Sequence, residues 1–314
     1  MAWLPAWNLV LFPNLLFYCL VVWVLFKFRS KLGSELYTIV LWNGVADVLY
    51  MTVTRYLLGY LLSGFFYNQV LNSVVAATAE TMVEYALYYT QISLVFLTAI
   101  NRLTVVVCPL QHNYWWYKHI KQTVILAWVW PVLFVCPMLM PGAHSQYDSH
   151  LNTWIKPPDN SSSEGQQFYY GFYIHVIFDN IICMPAMVAI YSTVFLCLVF
   201  RPREGQISGQ NSSREWKFAV IGAVLSVTYI VMNVFLLLAV FGGQLYMYDV
   251  WWIARDVFTL ANPYLLLTLC SRFRDFFVQT VRCKKQQVFP FEEVDGRMAA
   301  VQSARHDVEL QSKK

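Results

Sequence analysis

The chain has 314 residues, of which 58% are hydrophobic and only 13% charged. A soluble domain carries roughly 25% charged residues, so the composition describes a multi-pass membrane protein whose main partner is the lipid bilayer. The net charge of +4 implies no nucleic-acid partner, because the basic residues cluster beside the apolar runs. No basic segment precedes the first of those runs, so no cleavable signal peptide is expected.

Seven stretches have the length and apolarity of membrane spans, which predicts an all-α bundle of seven transmembrane helices. They are 8–28, 34–62, 74–107, 120–140, 171–200, 215–241 and 246–270. The second, third and fifth exceed the hydrocarbon thickness, so they tilt or run beyond it. Pro13, Pro131, Pro137, Pro185 and Pro263 lie inside spans, where neighbouring helices re-satisfy the carbonyls that proline frees.

The third span organises the rest. Counting back from Arg102 in steps of four and three meets Thr98, Val95, Gln91, Tyr88 and Glu84, one face of a helix. That face carries a carboxylate and a guanidinium about 27 Å apart at 1.5 Å per residue. The other faces are apolar, so the polar face is expected to look inward.

Lys and Arg in the connecting segments set the orientation. Nineteen fall at the ends of spans beside, or in, the loops after the first, third and fifth spans or in the tail, against one, Lys156, in the alternate loops. The N-terminus is therefore expected outside the cell and the tail in the cytoplasm. The outer loop at about 141–170 is polar and contains the sequon Asn160-Ser161-Ser162; it is either glycosylated or an unused sequon. A second sequon at Asn211 falls on the inner side and is expected to stay bare. None of the seven cysteines lies in an outer segment, so no extracellular disulfide framework is implied.

After the seventh span, SRFRDFFVQTVRC places Phe273, Phe276, Phe277 and Val281 on one face beside Arg272 and Arg274. This predicts a short amphipathic helix at the membrane interface. Cys283 at its end is either palmitoylated or a free cytosolic thiol. Residues 1–283 are expected to form one membrane domain, and 284–314, charged and without an apolar period, are expected to be a disordered cytoplasmic tail.

Polar groups inside spans are expensive and mark function. Span two carries Asn43, Asp47, Tyr50 and Thr54 at helical spacing, with Arg55 adjoining. Span seven carries Arg255, Asp256, Thr259 and Asn262 before Pro263. Asp47 and Asn262 sit at similar depth, so Asp47 is expected to be neutral or hydrogen-bonded to groups such as Asn262. The pair either glues helices or forms a seam that rearranges when a helix moves. Enzyme chemistry is not expected. His-Glu-x-x-His and Gly-x-Ser-x-Gly do not occur, and a zinc site has one histidine well inside a span, His175, to draw on.

These residues, in this order, resemble the rhodopsin-like G-protein-coupled receptors over about residues 8–283. LTAINRLTVVVCPL is similar to the family's third-helix ending, NGVAD to its second-helix aspartate motif, and NPYLLLTLCSRFRDFF to its seventh-helix Asn-Pro motif and following amphipathic helix. Trp128, Pro137 and Pro185 resemble landmarks of the fourth and fifth helices. The chain departs from the pattern at several points. Asn101 replaces the acid before Arg102, and Tyr264 directly follows Pro263. Span six lacks its proline and Cys-Trp-x-Pro, span one lacks an inner asparagine, and the outer disulfide cysteines are missing. With the aromatic loop HNYWWYKHI, these departures resemble the divergent nematode serpentine chemoreceptors of the gamma-class superfamily.

The resemblance implies a chemosensory receptor in the plasma membrane, that of sensory cilia where the cell has them, with two partners: an extracellular small molecule and a heterotrimeric G protein. The ligand pocket it implies comprises Glu84, Tyr88, Arg55, His175, Asp179, Arg255 and Asp256. Glu84 either meets a cationic ligand or is already neutralised by Arg55 or Arg255; His175 either packs or touches the ligand. Coupling falls to Asp47, Asn101, Arg102, Asn262 and Pro263, with Glu215 as the acid that restrains Arg102. No cofactor is implied, since a retinal protein needs a lysine in span seven and that span has none. The alternatives are a seven-helix channel or transporter, which often shows inverted repeats absent here, and a non-signalling membrane protein of the same fold.

Overall fold

The computed structural model describes residues 3–32, 35–54, 56, 74–136, 146–148, 153–155, 177–200, 209–241 and 246–282. It is nearly all helical. The helices are α1 (Trp3–Leu32), α2 (Glu35–Tyr50), α3 (Val74–Val107), α4 (Pro109–Val135), α5 (Met184–Phe200), α6 (Gly209–Phe241), α7 (Tyr246–Leu269) and α8 (Ser271–Val281). A two-stranded antiparallel pair, Gln146–Asp148 with Thr153–Ile155, lies between α4 and α5 in the chain. Residues up to Phe277 form one compact unit and those from Val278 onward a second.

α3 is the central helix, packed against α2, α4, α5 and α6, while α7 packs chiefly on α6 and also meets α1 and α2. The interior is made of Tyr18, Val21 and Leu25 of α1, Tyr88, Tyr89 and Ile92 of α3, Leu225 and Tyr229 of α6, and Phe258 of α7. The outward faces are equally apolar. Leu9 and Phe26 on α1, Leu126 and Leu133 on α4, Phe195 and Val199 on α5, and Val227 on α6 are all exposed. A face like this is stable only against lipid.

Among the described residues, five helical stretches are long and apolar enough to cross a membrane: Leu9–Leu32, Glu35–Thr54, Met82–Val107, Phe178–Phe200 and Ala219–Leu238. The other two helices of the bundle, α4 and α7, carry the polar residues of the inner turn and of the candidate site.

α4 differs from the expectation. It starts at Pro109 rather than near residue 120, so the aromatic segment HNYWWYKHI is its first turns and not a loop. Pro109 at the first helical position supplies the fixed φ and needs no N–H partner. Trp116 is buried, while Tyr114, Trp115 and Tyr117 remain exposed. The entry to α5 is a π-helical turn, Phe178–Cys183, closed by an N–H of Met184 that donates to the Asp179 carbonyl. Pro185, one residue on, has no N–H to continue an ordinary ladder. The wider turn places Asp179 inside the bundle, where it is 2% exposed.

α8 is tied down at its start. Phe273 is fully buried, Phe276 stacks on Phe28 of α1 at 4.7 Å, and Arg272 Nη2 donates to the Lys31 carbonyl at 2.7 Å.

Candidate functional site

The inward faces of α2, α3 and α7 bring the polar residues into three connected layers. The outer layer is an ion pair: Arg255 Nη1 donates to Glu84 Oε1 at 2.8 Å. The guanidinium lies 4.1 Å from the Tyr50 ring centroid, 4.6 Å from that of Tyr88, and 5.4 Å from those of Trp251 and Trp252. Such rings attract a cation through their negative faces, more strongly where water is excluded. Tyr88 is the hinge to α5, since its hydroxyl donates to Asp179 Oδ2 at 3.0 Å. Successive helical residues point about a quarter-turn apart, so Asp256 cannot share the outlook of Arg255. It turns to α1, where Trp7 Nε1 donates to its Oδ2 at 2.9 Å.

The middle layer centres on Asp47, which is 1% exposed. Its carboxylate accepts from Tyr18 of α1, from Gln91 of α3 at 2.7 Å, from Asn262 of α7 at 3.1 Å and, weakly, from Asn43 at 3.4 Å. A buried carboxylate is tolerable only with donors of this number. Gln91 also reaches Thr259 at 3.4 Å, and the Thr259 hydroxyl donates to the Arg255 carbonyl at 3.0 Å. The outer ion pair and the Asp47 hub therefore belong to one hydrogen-bonded chain. Inward of the hub lies a cavity of about 20 Å³, bordered by Asn43, Thr98 and Asn262 among apolar side chains. That is room for one water.

The inner layer is the end of α3. Arg102 is 5% exposed and its Nη2 donates to Asn101 Oδ1 at 2.5 Å. Two residues on, Thr104 Oγ1 accepts from Trp116 Nε1 at 2.8 Å and lies 2.9 Å from His112 Nδ1. His112 sits in the first turn of α4, outside the spanning stretches. Burial, then the charge of neighbouring Arg102, push its pKa down from 6.5 to about 4. On α5 and α6, the Tyr191 ring lies directly on Gly222, at a spot where any side chain on residue 222 would collide with it.

The structure thus joins Glu84, Tyr88, Asp179 and Arg255 in one outer cluster, sets Asp256 beside it against α1, and joins Asp47 to Asn262. Pro263 lies in α7 directly after Asn262. Arg55, His175, Asn160 and Cys283, with the tail, lie outside the described residues. So does the side chain of Glu215, although its backbone is in α6. Among the described residues, six cysteines are free thiols and no three His, Cys, Asp or Glu side chains could hold a metal ion.

Several participants were not singled out by the sequence. Tyr18 of α1 donates to Asp47, and nothing in its sequence context separates it from neighbouring aromatics. Tyr264 points away from the interior: its ring stacks on Phe17 at 5.2 Å and its hydroxyl donates to Asn14. Trp251 and Trp252, which lie near the Arg255 guanidinium, carry no motif that marks them. Gln91 did carry a signal, because it lies on the same four-and-three face as Glu84 and Arg102.

A bundle of seven spanning helices with a polar seam along its central helix and an eighth helix after the seventh is a seven-transmembrane receptor fold. The crystal structure of squid rhodopsin matches it with a TM-score of 0.66, covering 86% of this chain and 81% of that one at 14% identity, a likeness in fold alone. The family model "Serpentine type 7TM GPCR chemoreceptor Srv" matches residues 8–283. The chain belongs to that family of serpentine chemoreceptors and is a multi-pass membrane protein. None of the curated protein sequences matches it.

Proposed function

We propose that this chain is a chemosensory receptor that binds an extracellular small molecule between the outer halves of its helices and activates a heterotrimeric G protein at the other end. The observation that carries the reading is the run of polar contacts from the Glu84–Arg255 pair, through the Arg255 backbone carbonyl, Thr259 and Gln91, to Asp47 and Asn262 inside a chemoreceptor-family bundle. A ligand that moves the outer pair changes the partners of Asp47, and the Asp47 seam borders the packing between α3, α6 and α7 on which inner opening depends.

In this reading Arg102 meets the G protein after α5 and α6 move. Asn101 holds it through a neutral amide in the resting state, with Glu215 on α6 as a second restraint. The N-terminus faces outward, Asn160 is glycosylated, and the protein works at the plasma membrane, in sensory cilia where the cell has them. The test is second-messenger output in cells presented with panels of odorants and small metabolites. Wild type responds to a subset, Arg102→Ala at equal surface level does not, and Glu215→Ala raises the basal signal. A response that survives Arg102→Ala undiminished contradicts the assignment of the inner end.

A further inference from the structure

The ion pair with Glu84 occupies one nitrogen of the guanidinium and leaves a whole edge of it. Arg255 is 2% exposed, yet its Nε and Nη2 meet no acceptor among the described residues. These two nitrogens lie on the same side of the planar group. Their N–H bonds run parallel and form the side-on fork that fits the two oxygens of a carboxylate. The guanidinium carbon lies 4.1 and 4.6 Å from the ring centroids of Tyr50 and Tyr88, with Trp251 and Trp252 further out, so aromatic rings surround the group. The edge is enclosed as well as unpartnered among the described residues, so a partner reaches it only when a neighbouring side chain moves, and Glu84, the more exposed member of the pair, is free to do so.

The surrounding acids do not fill it. Asp256, the next residue, is engaged by Trp7 on α1, and Asp179 accepts from Tyr88. Glu84 is 23% exposed against 3% for the Arg255 side chain, so Glu84 can swing toward water while Arg255 cannot. A cationic ligand on Glu84 would have to break the pair and leave a buried guanidinium uncompensated, which is strongly unfavourable. An anion adds to the pair or takes over from Glu84.

We propose that the Nε/Nη2 edge of Arg255 recognises the ligand's carboxylate, so that the receptor's ligands are organic monocarboxylates with an apolar or aromatic body set among these rings. The proposal rests on the reading above, in which the ligand enters between the outer helix halves. It adds the chemistry of the ligand.

The test separates binding from signalling. Purified full-length receptor in lipid nanodiscs is titrated with phenylacetate, 3-phenylpropionate, indole-3-acetate and medium-chain fatty acids, each beside its primary amide and the matching amine. Quenching of tryptophan fluorescence and thermal shift are the readouts. At least one carboxylate is expected to bind saturably, on the order of tenfold or more tighter than its amide. Arg255→Lys, which keeps the charge but not the fork, removes that preference. Glu84→Gln, which removes the competing anion, tightens carboxylate binding and serves as the second variant should Arg255→Lys fail to reach the membrane. Preference for amines, binding of none of the carboxylates, or a carboxylate preference intact in Arg255→Lys overturns the proposal. Carboxylate binding without any G-protein activation leaves the ligand assignment standing and contradicts the receptor function instead.

Discussion

Arg255 on α7 and Glu84 on α3 close on each other at 2.8 Å, and only the arginine is fully enclosed. Removing the two partners should therefore have unequal effects. Glu84→Ala strands a buried cation and should destabilise by about 3 kcal/mol, toward the low end for a broken buried pair because Glu84 is partly in water. Arg255→Met fills similar space and leaves an acid that can reach solvent, so it should cost about 1 kcal/mol or less. Thermal unfolding of both variants in one detergent gives the order; equal losses would contradict the asymmetry.

Asp47 is the acceptor on which α1, α2, α3 and α7 converge. Asp47→Leu leaves several buried donors without acceptors and should cost more than about 3 kcal/mol, whereas Tyr18→Phe removes one bond and should cost about 1 kcal/mol. If Tyr18→Phe lowers the unfolding temperature as far as Asp47→Leu, the hub is not shared as described.

His112 gives the fold a pH dependence with a definite sign. Its pKa is lowered to about 4 in the folded protein, against 6.5 for a free side chain. Above about pH 6.5 neither state binds the proton, and the histidine's contribution is intact. Between 6.5 and 4 the unfolded chain binds a proton that the folded chain refuses, so stability falls as pH falls. His112→Gln should flatten the unfolding temperature over that window; an unchanged slope would remove His112 as its source.

Tyr191 and Gly222 record how closely α5 approaches α6. Gly222→Ala forces a rigid ring aside and should cost about 1–3 kcal/mol. Gly44→Ala, where the added methyl meets one methyl of Val22 at 2.8 Å and Tyr18 only at ordinary contact distance, should cost less. Surface expression and thermal unfolding of the two alanine variants check the order.

Much of this arrangement is legible in the sequence. Span three is α3 to the residue, because a strict four-and-three polar face in an apolar run has one reading. Asp47 and Asn262 meet as their matched depths suggested, because a lone buried carboxylate must find donors. The beginning of α4 was not legible, since Tyr, Trp, His and Lys suit an interfacial loop as well as a helix end. The cage around Arg255 was not legible either. Its rings come from α2, α3 and α7, and no spacing along one helix shows which aromatics from three helices will meet. The separate outlooks of Arg255 and Asp256 follow from helical geometry alone, yet adjacent charges invite being read as one group.

The central claim is that the outer pair and the inner arginine share one equilibrium through Gln91 and Asp47. Coupling is reciprocal, so a G protein that favours the active state must tighten the ligand as the ligand favours the G protein. The direct measurement is ligand affinity in nanodiscs with and without heterotrimeric G protein, for wild type and Gln91→Leu. The account predicts that the G protein tightens the ligand on the order of tenfold in wild type and leaves it unchanged in Gln91→Leu, with affinity in the absence of G protein similar in both. Equal tightening in the two receptors, or none in wild type, would contradict it.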